Sequence, residues 1–161
     1  MFLKYFNSKK NNLNNESFAL YQEIVNHSNS FIKNNLNHRN LNFNEVFEIF
    51  SVVIIFYLKK LKDKNNAKSK IISQTIIDNF VEDLDQHFRE QGIGDMSIGK
   101  YVKKYVKKFY FRLKILDEIF KKNKQLDINE YQKKVRVFHN DNTGTINANL
   151  VDLYNRILIE K

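Results

Sequence analysis

The run IFSVVIIFYL, residues 49–58, constrains this chain more than any other ten residues. It is apolar nearly all the way round, so no face of a helix built from it suits water. It falls well short of the ~20 residues that a membrane-spanning helix needs. Glu48, Lys59 and Lys60 flank it closely. The remaining solution is burial from every side, as the middle of a central helix over residues 45–62. That helix requires amphipathic neighbours, and a chain of 161 residues is the size of one domain that can supply them.

The neighbours are visible as periodic apolar residues. Phe18, Tyr21, Ile24, Val25 and Ile32 recur at three- and four-residue steps and predict a helix over 16–33. Over 70–91, Ile76, Ile77, Phe80, Val81, Leu84 and Phe88 share one arc, with Asp78, Glu82 and Asp85 opposite. Over 98–122, Val102, Val106, Phe109, Leu113, Leu116 and Phe120 form a narrow stripe, with Lys100, Lys103, Lys104, Lys107 and Lys114 on the far side. Two shorter helices follow, over 128–139 and 147–159, separated by the turn-forming string NDNTGT at 140–145. No strand alternation or internal repeat stands out. The expected fold is all-α, one compact domain of five to six helices over 16–161. Asn-rich 34–44 is expected to connect the first two helices, and residues 1–15 read as a short basic arm and polar linker.

The chain carries 27 basic and 18 acidic residues, net +9, with no Pro, Cys or Trp. The excess suits anionic partners such as RNA, acidic proteins or lipid. The Lys, Asn, Ile and Phe skew is also what AT-rich coding DNA would give without selection for binding. Without Cys there is no disulfide framework and no thiolate nucleophile or metal ligand, which fits a reducing compartment, with the cytoplasm as the expectation. The first residues lack the long apolar segment and small-residue cleavage site of a secretory signal.

Gly94 to Lys100 spell G-x-x-x-x-G-K, the spacing of a phosphate-binding loop. Such a loop needs a preceding buried strand and a following Ser or Thr, whereas here a charged helix ending HFREQ precedes it and Tyr101 follows. An interhelical corner accounts for the residues better. Gly92 suits a left-handed helix stop, Gly94 a sharp bend, and Asp95 or Ser97 a cap for the next helix, with Gly99 counted among the turn glycines. Asp83, His87 and Glu90 lie at i, i+4 and i+7 and could project together toward a metal, but no matching cluster exists for a facing helix. His27, His38 and His139 have no evident nucleophile partner, and no catalytic signature is present. The lysine stripe is either an ordinary solvated face or a phosphate-binding one. Tyr101 and Tyr105 border it and could stack or anchor at a lipid interface. No aromatic-studded RNA-recognition signature accompanies it.

The stretch DLDQHFREQGIGDMSIGKYVKKYVKKFYFRL, residues 83–113, resembles the ubiquinol-cytochrome c chaperone family, with its D-[ML]-D, L-R-E-x-G-[VI]-G-D, G-K and F-Y-x-R progression. Asp83, Asp85, Arg89, Glu90, Gly92, Gly94, Asp95, Gly99, Lys100, Phe109, Tyr110 and Arg112 match it. ALYQEIV at 19–25 and FEIFSVVIIFYLKKL at 47–61 look like the family's opening and central helices, so the resemblance spans roughly 17–120. Between Asn26 and Val46 the family's Pro-containing turns are replaced by an Asn-rich segment, and Phe111 stands where Gly is common. The resemblance implies a non-enzymatic helical protein that binds newly made cytochrome b during assembly of the cytochrome bc1 complex. It implies no cofactor, metal, specific DNA or small-molecule substrate, with the ribosome or inner-membrane surface as further contacts. Asp83, Asp85, Arg89, Glu90, Asp95, Lys100, Lys103, Lys104, Lys107, Tyr110 and Arg112 are then the candidate partner-binding set. The expected location is cytoplasmic and peripheral to a bacterial inner membrane, or the matrix if the chain is organellar. The alternative is a helical module that binds ribosomal RNA or acidic lipid through its lysine face.

Overall fold

The structure, a computed structural model, describes residues 15–36, 40–123, 126–135 and 143–159. They form six helices and no strand: α1 (Asn15–Leu36), α2 (Phe43–Lys64), α3 (Ala67–Glu90), α4 (Asp95–Asn123), α5 (Ile128–Val135) and α6 (Thr143–Ile159). Every residue of α2 from Val46 to Leu58 is buried, as the apolar run demands. Helices α1, α3, α4 and α6 pack on it, α3 and α4 lie side by side, and α5 bridges α4 and α6.

Asparagine sets several of the boundaries in this Pro-free chain. Asn42 caps α2 by accepting from the Glu45 N–H while Glu45 reaches back to the Asn42 N–H, a reciprocal pair that satisfies two otherwise orphaned donors. Asn65 ends α2 in the left-handed conformation with φ 45°, and Asn66 accepts from the Ser69 N–H to start α3. The expected connection over 34–44 is therefore much shorter. Residues 34–36 continue α1, and Phe43 and Asn44 already belong to α2. At the other end, Thr143, Gly144 and Thr145 lie inside α6 rather than in a turn. The arm and linker over residues 1–14, the extension of α5 through 136–139 and residues 140–142 of the turn string lie outside the described residues.

The buried line of α4 also differs from expectation. Phe109, Leu116 and Phe120 are buried as expected, together with Ile98, Tyr105, Ile115 and Ile119, while Val102, Val106 and Leu113 are only half-buried. The helix is rotated because polar side chains occupy its inner face. Tyr105, expected at the lipid- or base-facing border, instead sits against Phe43, Phe47 and Phe88 with ring centroids 4.9–5.2 Å away. Its hydroxyl donates to Asn44 Oδ1 at 2.8 Å. Arg112 enters the same face to meet Glu48 of α2.

The corner between α3 and α4 is built by residues 91–94. The Gly92 N–H donates to the Arg89 carbonyl at 2.9 Å and the Ile93 N–H to the Phe88 carbonyl at 3.1 Å. This double closure satisfies the last carbonyls of α3 and requires a left-handed residue at Gly92, whose φ is +77°. Gly94 has no positive φ, so its role is different. Its carbonyl accepts from the Ser97 and Ile98 N–H groups at 2.8 and 3.2 Å, and Asp95 is already the first residue of α4 rather than its cap. Gly99 lies inside α4, not in the turn. Replacing Gly92 by alanine is expected to cost about 1–2 kcal/mol through left-handed strain. Gly99→Ala is expected to gain about 0.8–1 kcal/mol of helix propensity, since an added Cβ there meets nothing within 4 Å. Urea denaturation of the two variants, which should move in opposite directions, checks both.

Candidate functional site

Several charged residues of the 83–113 stretch turn inward. Asp83 is fully buried and accepts a hydrogen bond from the Tyr21 hydroxyl at 2.6 Å, tying α3 to α1. Burial pushes its carboxyl up to about 7, against the lowering effect of the Tyr21 bond, with Glu82 adding to the rise. Burial first, and then the Asp83 charge, hold the Tyr21 hydroxyl well above its ordinary value. His87 is buried and stacked on Phe43 with ring centroids 4.0 Å apart. Desolvation lowers its pKa, opposed by Glu90. Glu90 itself is exposed and accepts from Gln86 at 2.9 Å. The spacing that placed Asp83, His87 and Glu90 on one helical side thus leads to three different environments, and among the described residues no three His, Cys, Asp or Glu side chains are grouped to hold a metal ion.

Arg112 and Glu48 form a buried pair between α4 and α2. Arg112 Nη2 and Nε donate to the two carboxylate oxygens at 2.6 and 3.0 Å, and the side chains retain 12% and 5% of their exposure. Burial disfavours the Arg112 charge, but the Glu48 hydrogen bonds and negative charge outweigh it and raise the pKa. Tyr131 of α5 is buried beside the pair; desolvation, reinforced by the Glu48 charge, raises its hydroxyl far above the ordinary value.

Arg89 braces the corner from outside. It pairs with Asp85 on α3 at 2.5 Å and with Asp95 in the first turn of α4. The hydrogen bonds that it donates to Asp85 and then to Asp95 raise its pKa. Asp85, Arg89 and Asp95 are thereby engaged with one another across the turn.

The rest of the candidate set points outward. Lys100, Lys103, Lys104 and Lys107 are exposed along α4, and Tyr110 is exposed farther along the same helix. Tyr110 also lines a groove of about 570 Å³ between α2, α3 and α4. Ile55, Leu58, Ile77, Leu113 and Phe120 give the groove its apolar surface. Lys59, Lys62, Lys70 and Lys114 give it a basic rim, and the single acid on its lining is Asp117. Hydrogen bonds from Lys121 and Lys62 hold Asp117 below the usual carboxylate range, so it stays charged and partly neutralised. The volume falls within the roughly 300–1,000 Å³ of binding pockets. The groove exists because α4 is rotated: Leu113, assigned by its spacing to the core stripe, is left half-buried at the edge. Nothing in the spacing marks it, since the apolar residues of α4 share one narrow stripe.

A family model described as Ubiquinol-cytochrome C chaperone matches residues 40–129. The match contains the corner, the buried pair and every residue lining the groove. It does not reach the segment at 19–25 that looked like the family's opening helix. No curated protein and no solved structure matches the chain.

Proposed function

The chain belongs to the ubiquinol-cytochrome C chaperone family, and from that premise we propose that it binds newly made cytochrome b and assists assembly of the cytochrome bc1 complex without chemistry of its own. The observation that carries this reading is the groove between α2, α3 and α4. Its apolar surface suits a segment of a membrane subunit not yet inserted, and its lysine rim suits a polar or acidic flank of that segment. No helix among the described residues is long and apolar enough to cross a membrane. In this reading the chaperone meets its client from the cytoplasmic side, peripheral to the inner membrane. Arg89, Asp85 and Asp95 fix the corner that holds α4 against α3, and Asp83 and Arg112 hold the helices that form the groove walls. Their part in client binding is therefore indirect, through the shape of the groove.

The test is affinity capture of tagged protein from its own cells after mild cross-linking, comparing wild type with Tyr110→Ser/Lys114→Glu. Both side chains are exposed, so helix content and thermal midpoint should stay unchanged. Removing an aromatic anchor and reversing a rim charge should lower recovery of cytochrome b by roughly tenfold or more. Equal recovery from a folded variant would refute the groove as the client site. Absence of cytochrome b from the wild-type sample would refute the client.

A further inference from the structure

From Met96 to Leu116 the long helix α4 carries no acidic residue. At 100° per residue, Lys100, Lys103, Lys104, Lys107 and Lys114 fall within an arc of about 100° facing away from the core. All five are exposed, and none has an ion-pair partner among the described residues. The same arc holds Met96, 97% exposed, and Phe111, 51% exposed. Between positions 96 and 114 the arc contains only Lys, Met and Phe, and it extends for about 27 Å along one helix.

We propose that this face of α4 docks on an anionic lipid bilayer, lying parallel to its surface with Met96 and Phe111 inserted at the headgroup boundary. Three features favour a bilayer over RNA or an acidic protein. The charges are all ammonium groups, which answer a diffuse negative potential, while Arg112, the guanidinium on this part of α4, is committed to Glu48. The arc has no amide or hydroxyl side chain to read bases or a peptide backbone. Its two uncharged members are large and apolar, with flexible lysine stems between them that can lie along acyl surface while their ammonium groups stay at headgroup level. The groove opens beside this face, since Tyr110 and Lys114 line it, so a docked protein would hold the groove at the level where a membrane subunit enters. The docking itself needs no client and is testable without one.

The full chain would be sedimented with vesicles of mixed phosphatidylglycerol and phosphatidylcholine, and separately with phosphatidylcholine alone. Binding is expected only to the anionic vesicles and is expected to weaken as salt rises. Lys103→Gln/Lys104→Gln/Lys107→Gln should reduce that affinity about hundredfold, at several-fold per lysine near a charged surface. Because the chain has no Trp, Phe111→Trp supplies a reporter without background. Its emission should shift to the blue on anionic vesicles, whereas that of Asn26→Trp, at an exposed position of α1, should not respond. Undiminished binding by the triple variant, unshifted emission from Phe111→Trp, or retention on an RNA homopolymer with none on anionic vesicles would each overturn the proposal.

Discussion

Replacing Arg112 by alanine is expected to destabilise the protein by about 3–5 kcal/mol, the usual consequence of leaving one member of a buried ion pair alone. Glu48 would then be left without its guanidinium partner among the buried residues of α2. The loss should appear as a lower urea midpoint with an unchanged slope. The pair is not required for burial as such: Glu48→Leu/Arg112→Met should recover much of the stability, because well-packed apolar side chains of similar size often equal a buried ion pair. A double variant as unstable as the single one would instead show that the pair is needed to seat α4 on α2.

The second large effect depends on pH. Asp83 has a folded-state value of about 7 against roughly 3.9 in an unfolded chain. Below about pH 4 both states carry the proton and burial of the carboxyl adds no ionisation penalty. As pH rises toward 7 the unfolded chain releases its proton while the folded chain keeps it, so stability falls with rising pH and levels off above 7. The loss is on the order of 4 kcal/mol at most, about three units at 1.36 kcal/mol each. Asp83→Asn retains an acceptor for Tyr21 and cannot titrate, so its stability should not share this decline. Denaturation midpoints of both proteins across pH 4–8 give the difference directly, with other titrating groups common to both. Parallel profiles would sink the assignment.

Helix number and most buried faces were legible because a 3.6-residue period survives in the sequence wherever one face packs and the other is wet. The ends were less so. Asn42, Asn65 and Asn66 act as caps, but in a chain crowded with asparagine nothing local separates a cap from filler. The motif of 83–113 was legible as a pattern but not as a set of roles. Asp83 and Arg112 look like surface charges until their partners Tyr21 and Glu48, 62 and 64 residues away, are brought beside them. The groove was not legible, because it follows from how α4 is rotated against α2 and α3. That rotation is set by Tyr105 and Arg112, polar side chains that a hydrophobic count places outside the core. The exposed lysines were read correctly from spacing alone, since nothing tertiary was needed to leave them in water.

The left-handed stop at Gly92 also bears on the order in which the molecule assembles. It joins α3 and α4 through four residues, and these helices pack against each other. Closing so short a loop sacrifices little chain entropy, whereas joining Tyr21 to Asp83 encloses a far longer one. The α3–α4 hairpin is thus suited to form first and to offer a template on which α2, and then α1, settle. Strain at Gly92 would then slow refolding, while truncation at Tyr21 would mainly hasten unfolding.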